Sequence, residues 1–360
     1  MFEAIIKKLK DRFPLEKVSF ENFVLKKEVP VHKLSWIYYI GGMTMFCFLI
    51  QVITGLLLLL YYQPNIINAY QSIEYISYFV PSGFFVRNLH AWSSSFMIFF
   101  AVIHLLTVFA TKSYQKPREL TWMTGIILLI ITLGFGFTGY LLPWNQLSVN
   151  ATKVGMEILQ SSTSFLPGIF KLVGEFFATN LRGGASITQT TLSRFFALHV
   201  VVLPFIFFTL IAVHLFLVQL HGMSKENFNI QRYEKFFPNF FIKDLIVWLF
   251  LFLVLLVIAQ TIPYDSFLSY PLKAQYIDNS PTPAGIKPEW YFLFLYYPLE
   301  VLPKTFVIIS SFIAFLLLLF TPIVFRKLSI KAHVVIAVCI LAYLFISTIY
   351  GEDIVHIIRK

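Results

Sequence analysis

Charge is what this sequence has least of. Asp, Glu, Lys and Arg together make up only 13% of 360 residues, against about 25% in an ordinary soluble domain. Hydrophobic residues reach 58% and aromatics 18%. That balance excludes a soluble globular protein and points to one embedded in lipid. Cysteine is nearly missing. Cys47 and Cys339 both sit in apolar runs, with no CxxC and no CxxCH, which excludes a disulfide framework, a zinc ribbon and standard c-type haem attachment. Residues 1–33 lack the apolar core of a cleavable signal but hold eight Lys or Arg. They are expected to form a basic, partly amphipathic segment on a membrane surface. The net charge of +10 follows membrane topology, and no nucleic-acid partner is expected.

What the chain does have is long apolar runs. A helix needs about 20 apolar residues to cross a bilayer, and seven runs qualify, near 34–62, 85–111, 121–142, 195–219, 241–261, 305–325 and 332–350. They are too long and continuous for the alternating strands of a membrane barrel. The expected fold is an all-α integral membrane protein, a four-helix bundle followed by a three-helix part. With seven spans, the N-terminus and the second, fourth and sixth inter-span loops share one side and hold eighteen Lys or Arg, counting Lys243 at the start of the fifth run. The other side holds nine, with Arg87 at a boundary. The positive-inside rule then places the N-terminus in the cytoplasm. The loops 143–194 and 262–304 fall outside, the first with amphipathic runs such as SFLPGIFKLVGEFFATNL expected to lie along the interface.

Four of eight histidines fall inside spans: His90 and His104 in the second, His199 and His214 in the fourth. Ionisable groups within a membrane are costly and mark function. At 100° per residue, a step of 14 stops about 40° short of four turns and a step of 15 overshoots by about 60°. Each helix therefore shows both imidazoles on one broad face, at levels about 21 Å apart. A lone buried histidine is usually a hydrogen-bonded core residue. Four matched in two pairs point to metal or haem ligation, and paired axial histidines suit electron transfer. Gly41 and Gly55 in the first span, and Gly125 and Gly139 in the third, are also 14 apart. Glycine admits close approach, and the matching repeat favours two haems at two levels over ordinary small-residue packing. Arg87 and Arg194 precede His90 and His199 and can serve haem propionates on the outer side. Lys112 and Arg118 follow His104, where positive-inside loops carry cations anyway. The stretch GIKPEWYFLFLYYP, 285–298, sets Glu289 at the mouth of an apolar run; alone, it reads equally as a loop end in water.

Together the stretches RNLHAWSSSFMIFFAVIH, GFTGYLLPWNQLS, TLSRFFALHVVVLPFIFFTLIAVH and KPEWYFLFLYYP resemble cytochrome b, the quinol-oxidising core subunit of bc-type quinol:cytochrome c oxidoreductases. YYIGG, KPRELTW and the 15-residue histidine spacing resemble the chloroplast and cyanobacterial type, here with its four-helix haem subunit and three-helix partner joined in one chain. The resemblance implies domains over 34–221 and 241–350, a cytoplasmic linker over 222–240 and a tail over 351–360. It implies two non-covalent b-type haems, His90 with His199 on the outer iron and His104 with His214 on the inner. It implies quinol oxidation outside, quinone reduction inside and proton translocation. Outer-site candidates are Tyr140, Pro143, Trp144, Pro288, Glu289, Trp290 and Tyr291, with Glu289 as proton acceptor. Inner-site candidates are His221, Lys112 and Arg118. Expected partners are a Rieske iron–sulfur protein, a c-type cytochrome, the quinone pool and a second copy of the chain, in a bacterial plasma membrane.

Departures from the resemblance are as plain as its matches. Tyr39 stands where the chloroplast type has the Cys that anchors an extra haem, which argues against a covalent c-type haem. Thr107, Gln219 and Asn145 replace an arginine, a basic residue and an acid. Two other classes share histidines within spans: the dihaem membrane anchor of a quinone-linked dehydrogenase or hydrogenase, and a transporter using histidine relays. The first predicts no PEWY loop. The second needs discontinuous helices or substrate-facing charges.

Overall fold

The computed structural model describes residues 13, 18–19, 21–163, 168–184, 186–225, 227–266, 268–278 and 280–360. Most of the basic segment expected before residue 21 lies outside the described residues. Lipid offers no hydrogen bonds, so an apolar run must pair its own backbone and becomes helix. The long helices follow the apolar runs closely. They are α1 (Tyr38–Leu59), α3 (Gly83–Ala110), α4 (Glu119–Leu141), α8 (Leu203–His221), α9 (Phe241–Thr261) and α12 (Ile330–Ile358). Between them lie α2 (Ala69–Tyr78), α5 (Gln146–Thr163), α6 (Gly168–Arg182), α7 (Gln189–Ala197), α10 (Leu293–Val301) and α11 (Lys304–Leu319). Glu119 opens α4 at the positive end of its dipole. Ser329 caps α12, its hydroxyl accepting from the Ala332 N–H at 3.2 Å.

Among the described residues six helices are long and apolar enough to cross a membrane: Ser35–Leu59, Gly83–Ala110, Glu119–Leu141, Gln189–His221, Phe236–Thr261 and Ile330–Ile358. The seventh run, expected near 305–325, forms α11 of 16 residues, about 24 Å at 1.5 Å per residue. It stops at Phe320, and a short turn, Thr321–Val324, restarts with Pro322. Proline has no N–H to continue the ladder but fits the first turn of a new helix, so the run divides where hydropathy alone reads through.

The tightest pairings are α1 on α3 and α4 on α8; α9 packs on α1 and α3, and α12 on α3 and α10. Cys47, Phe48, Leu89, Met97, Phe207, Leu251 and Leu255 form one buried cluster joining α1, α3, α8 and α9. Cys47 is thus a core residue, while Cys339 is exposed.

One element departs from the all-α expectation. Strands β1 (Glu28–Val31) and β2 (Arg232–Lys235) pair antiparallel, Glu28 opposite Lys235 and Val31 opposite Arg232. This ladder ties the approach to α1 to the linker between α8 and α9. Beside it Lys27 is buried, donates to the side-chain oxygen of Gln219 and lies 5.0 Å from the Phe236 ring. Burial lowers the Lys27 ammonium to about 8.

Candidate functional site

The four intramembrane histidines face four glycines, one each. A Cβ built on Gly55 would sit 3.4 Å from the His90 ring and one on Gly139 2.6 Å from His199; on Gly41 it would sit 3.1 Å from His104, and on Gly125 3.3 Å from His214. The two pairs 14 apart on α1 and α4 are therefore in register with the histidines of α3 and of the Gln189–His221 span. The interval of 15 in that span needs an explanation, since α4 offers only 14. It comes from a π-helical turn over Leu198–Val202, which contains His199. A π turn closes a wider ring and absorbs an extra residue, so fifteen residues keep the register of fourteen.

At one end of the bundle the His90 and His199 rings stand 6.4 Å apart, centroid to centroid, at 68°. That gap leaves room for one metal ion with imidazole bonds of about 2 Å on each side. His104 and His214 lie within electrostatic range of each other at the other end. Among the described residues no cluster of three or more His, Cys, Asp or Glu gathers to hold a metal. A facing pair of imidazoles is an arrangement that can hold a metal whose other ligands come from a macrocycle.

Threonines behind the rings set their tautomer. Thr54 Oγ1 lies 2.8 Å from His90 Nδ1, Thr124 Oγ1 3.0 Å from His214 Nδ1, and Thr138 Oγ1 3.2 Å from His199 Nδ1. Each hydroxyl already donates its hydrogen to a backbone carbonyl of its own helix: Ile50, Thr121 and Gly134 respectively. Its oxygen is then left to accept from the imidazole. The Phe135 carbonyl, 3.1 Å from His199 Nδ1, can likewise only accept. The proton thus sits on Nδ1, which leaves the Nε2 lone pair available to a metal. His104 is the exception, its buried Nδ1 without a hydrogen-bond partner among the described residues. Three of the four glycines follow a threonine (Thr54–Gly55, Thr124–Gly125, Thr138–Gly139), whereas Gly41 follows Ile40. The repeated Thr–Gly pair was a readable signal that spacing alone did not exploit.

Toward the His90 end lies a cavity of about 320 Å³, lined mainly by apolar side chains from α4, α5, α10 and the segment before α10. Leu133, Phe137, Ile158 and Pro288 form its walls; Tyr140, Lys287 and Glu289 supply its polar rim. Burial raises the Glu289 carboxyl above the usual range, opposed by a hydrogen bond from the Tyr264 hydroxyl, 2.9 Å from Oε2. Two loops meet beside the cavity: the Gln146 N–H donates to the Ala274 carbonyl at 2.8 Å, and the Tyr276 N–H to the Trp144 carbonyl at 3.2 Å.

Other sequence candidates stand elsewhere. Tyr291 is buried with its ring against Gly136, and the cavity lining includes neither it nor Pro143, Trp144 and Trp290. Trp144 is packed among Leu141, Val149 and Leu192, and the Trp290 N–H donates to Ser95 Oγ at 3.3 Å. Arg87 pairs with Asp265 at 3.6 Å and donates to Ser77, while Arg194 donates to the Asn180 carbonyl. At the opposite end Lys112 holds the carbonyls of Arg326 and Leu328, and Arg118 those of His221, Gly222 and Met223. Both cations tie loops together. His221 lies 6.3 Å from Phe13, ring to ring.

These features define a multi-pass helical membrane protein with two stacked histidine pairs and an apolar cavity beside one of them. Comparison with known proteins agrees. Residues 25–222 match the family described as cytochrome b/b6/petB, and residues 276–355 the family described as cytochrome b (C-terminal)/b6/petD. The chain is 46% identical over 276 residues to a cytochrome bc complex cytochrome b subunit of Chlorobaculum thiosulfatiphilum, an alignment covering 75% of this chain and 61% of that relative. It is 39% identical over 210 residues to a cytochrome b6 of Prochlorococcus marinus, covering 58% of this chain and 92% of the relative. A solved chain of a hyperthermophilic respiratory Complex III superposes with a TM-score of 0.81 at 26% identity, covering 98% of this chain and 94% of that one. The chain belongs to the cytochrome b family, with the b6-type N-terminal and C-terminal parts joined in one polypeptide. Its relatives thus include a cytochrome b subunit of a bc complex.

Proposed function

We propose that this chain oxidises quinol in the cavity bounded by Tyr140 and Glu289, with a second quinone site at the His104 end. The observation that carries the reading is the placement of an ionisable carboxylate on an apolar cavity at the same end as one of two matched histidine pairs. Two b-type haems held by His90 with His199 and by His104 with His214 would supply one-electron transfer between the two ends.

The chain's own residues do the rest. The walls from Leu133, Phe137 and Ile158 exclude water and take up an apolar ring and tail. Glu289 accepts a proton from the quinol hydroxyl: the O–H bond breaks, a carboxyl O–H forms, and the proton later leaves on that side. Its raised affinity for protons, caused by burial, suits reversible transfer nearer neutral pH. Tyr140 offers a hydroxyl on the same rim.

The charge asymmetry supports a cytoplasmic N-terminus in a bacterial plasma membrane, with the cavity on the outer side. In that orientation α11 and the Thr321–Val324 turn together make the seventh crossing. The domain limits 34–221 and 241–350 divide a haem-holding part from one that contributes the Glu289 wall. A Rieske protein, a c-type cytochrome and a second copy of the chain are the partners this reading implies. The test is Glu289→Gln. Quinol oxidation should slow by at least tenfold, the scale of a lost general base, while the reduced-minus-oxidised spectrum keeps both haem signals. Wild-type turnover in that variant would overturn the proton role.

A further inference from the structure

Glu289 does not stand alone behind the cavity wall. The Tyr264 oxygen is 2.9 Å from Glu289 Oε2 and 2.8 Å from Ser95 Oγ, and the Trp290 N–H donates to Ser95 Oγ at 3.3 Å. An indole N–H can only donate and an ionised carboxylate can only accept. With the acid ionised, the row runs one way: Trp290 donates to Ser95, Ser95 to Tyr264, and Tyr264 to Glu289. Tyr264 is itself fixed. Its backbone N–H donates to Asn88 Oδ1 at 2.7 Å, and its ring meets Trp92 edge-on, centroids 5.2 Å apart. Asn88 in turn donates to the Ala259 and Ile262 carbonyls at the end of α9. Tyr264 is not part of the cavity lining; it reaches the acid from the α3 side.

We propose that Tyr264 is a positioning residue for Glu289: it ends a one-way chain of donors, aims the carboxylate at the cavity and keeps it in the proton-accepting form. The inference rests on the reading of Glu289 as proton acceptor. Three hydroxyl and indole donors in series favour the charged acid, opposing the burial that favours the neutral one. When Glu289 takes a proton, Tyr264 can turn its hydrogen toward Ser95, but the Trp290 N–H cannot reverse. The chain therefore favours return to the ionised state. The other ionisable groups facing Glu289 are Tyr140 and Tyr291. Lys287 shares the cavity rim but pairs with Glu352, and the Arg87–Asp265 pair flanks Tyr264.

The experiment compares pH–rate profiles of quinol oxidation by the purified complex carrying wild-type chain, Tyr264→Phe, Ser95→Ala or Glu289→Gln. Infrared difference spectra in parallel follow the carboxyl band that Glu289→Gln removes. Loss of the Tyr264 hydroxyl should move the acid limb and the carboxyl titration upward by about one to two pH units, the worth of a hydrogen bond to a charged group. The rate below both limbs then falls about ten- to a hundredfold. Ser95→Ala should shift both in the same direction by less, and haem spectra should not change. A purely structural role predicts a loss of rate uniform in pH with an unmoved carboxyl titration, and that result overturns the proposal. If Tyr264→Phe does not assemble, Ser95→Ala decides alone, and an unmoved limb refutes it. A Glu289→Gln enzyme that keeps its rate and limb sinks the proton-acceptor reading instead.

Discussion

The glycine contacts rank four substitutions before any is made. An alanine methyl at Gly139 would meet the His199 ring at 2.6 Å, whereas one at Gly55 would meet the partner ring, His90, at 3.4 Å. The first distance is impossible without movement, and the second is ordinary contact. His199 has little freedom to retreat, because Thr138 and the Phe135 carbonyl hold its Nδ1 and the π turn fixes its backbone. Overpacking of this kind costs about 1–3 kcal/mol, so Gly139→Ala should loosen metal-centre retention at that pair by about five- to 150-fold. Gly41→Ala and Gly125→Ala, at 3.1 and 3.3 Å, should fall between, and Gly55→Ala should be close to silent. Redox-titrated absorption spectra of each variant, normalised to protein, give haem content and midpoint potential separately for the two pairs. Full occupancy and an unshifted potential in Gly139→Ala, or greater damage from Gly55→Ala, would refute the steric reasoning, since both act on one histidine pair.

The threonines give a second series: Thr54→Val and Thr124→Val remove the acceptor behind His90 and His214 and should each shift the potential of one centre only, read in the same titration. An effect of Thr54→Val on both centres would contradict the local account. His199→Leu should abolish the signal of one centre and leave the other, and two intact signals would overturn the ligand assignment. The wild-type acid limb should lie above the ordinary carboxylate range near 4, because burial raises Glu289 and the base must be ionised to act. Activity is then gained as pH rises through that raised value and lost as it falls; a limb at 4 would show the acid to be well solvated. Tyr114→Phe removes a buried 2.5 Å hydrogen bond to His333 and should cost about 1–3 kcal/mol, seen as a lowered thermal unfolding midpoint in detergent.

Much of this was legible in the sequence because lipid removes choices. Apolar runs become helices, and paired histidines at 14 and 15 reveal two levels. The π turn was not legible, since the local sequence LHVVV carries no mark of it; the register demanded by Gly125 and Gly139 does. Lys112 and Arg118 looked available for a ligand because a sequence cannot show which carbonyls lie across a loop. The division of the seventh run was signalled by Pro322, outweighed by hydropathy averaged over its neighbours. Tyr264 was missed for a different reason. It is 25 residues from Glu289 in a loop of no regular pattern, and it meets the acid only because Asn88 and Trp92 hold the end of α9.

The π turn at Leu198–Val202 also has a genetic consequence. It is the one place in the α7–α8 span where a residue can be lost while the histidines stay aligned with α4. Deleting Val201 would let the turn relax to α-helix, and 14 residues would then separate the histidines, the interval α3 already uses. Deleting a residue from the regular helix between Phe205 and Ala212 while the π turn persists would instead turn one histidine away from its glycine by about 100°. Length change in this span is thus predicted to be confined to a single turn, and related chains with either interval can carry the same paired site.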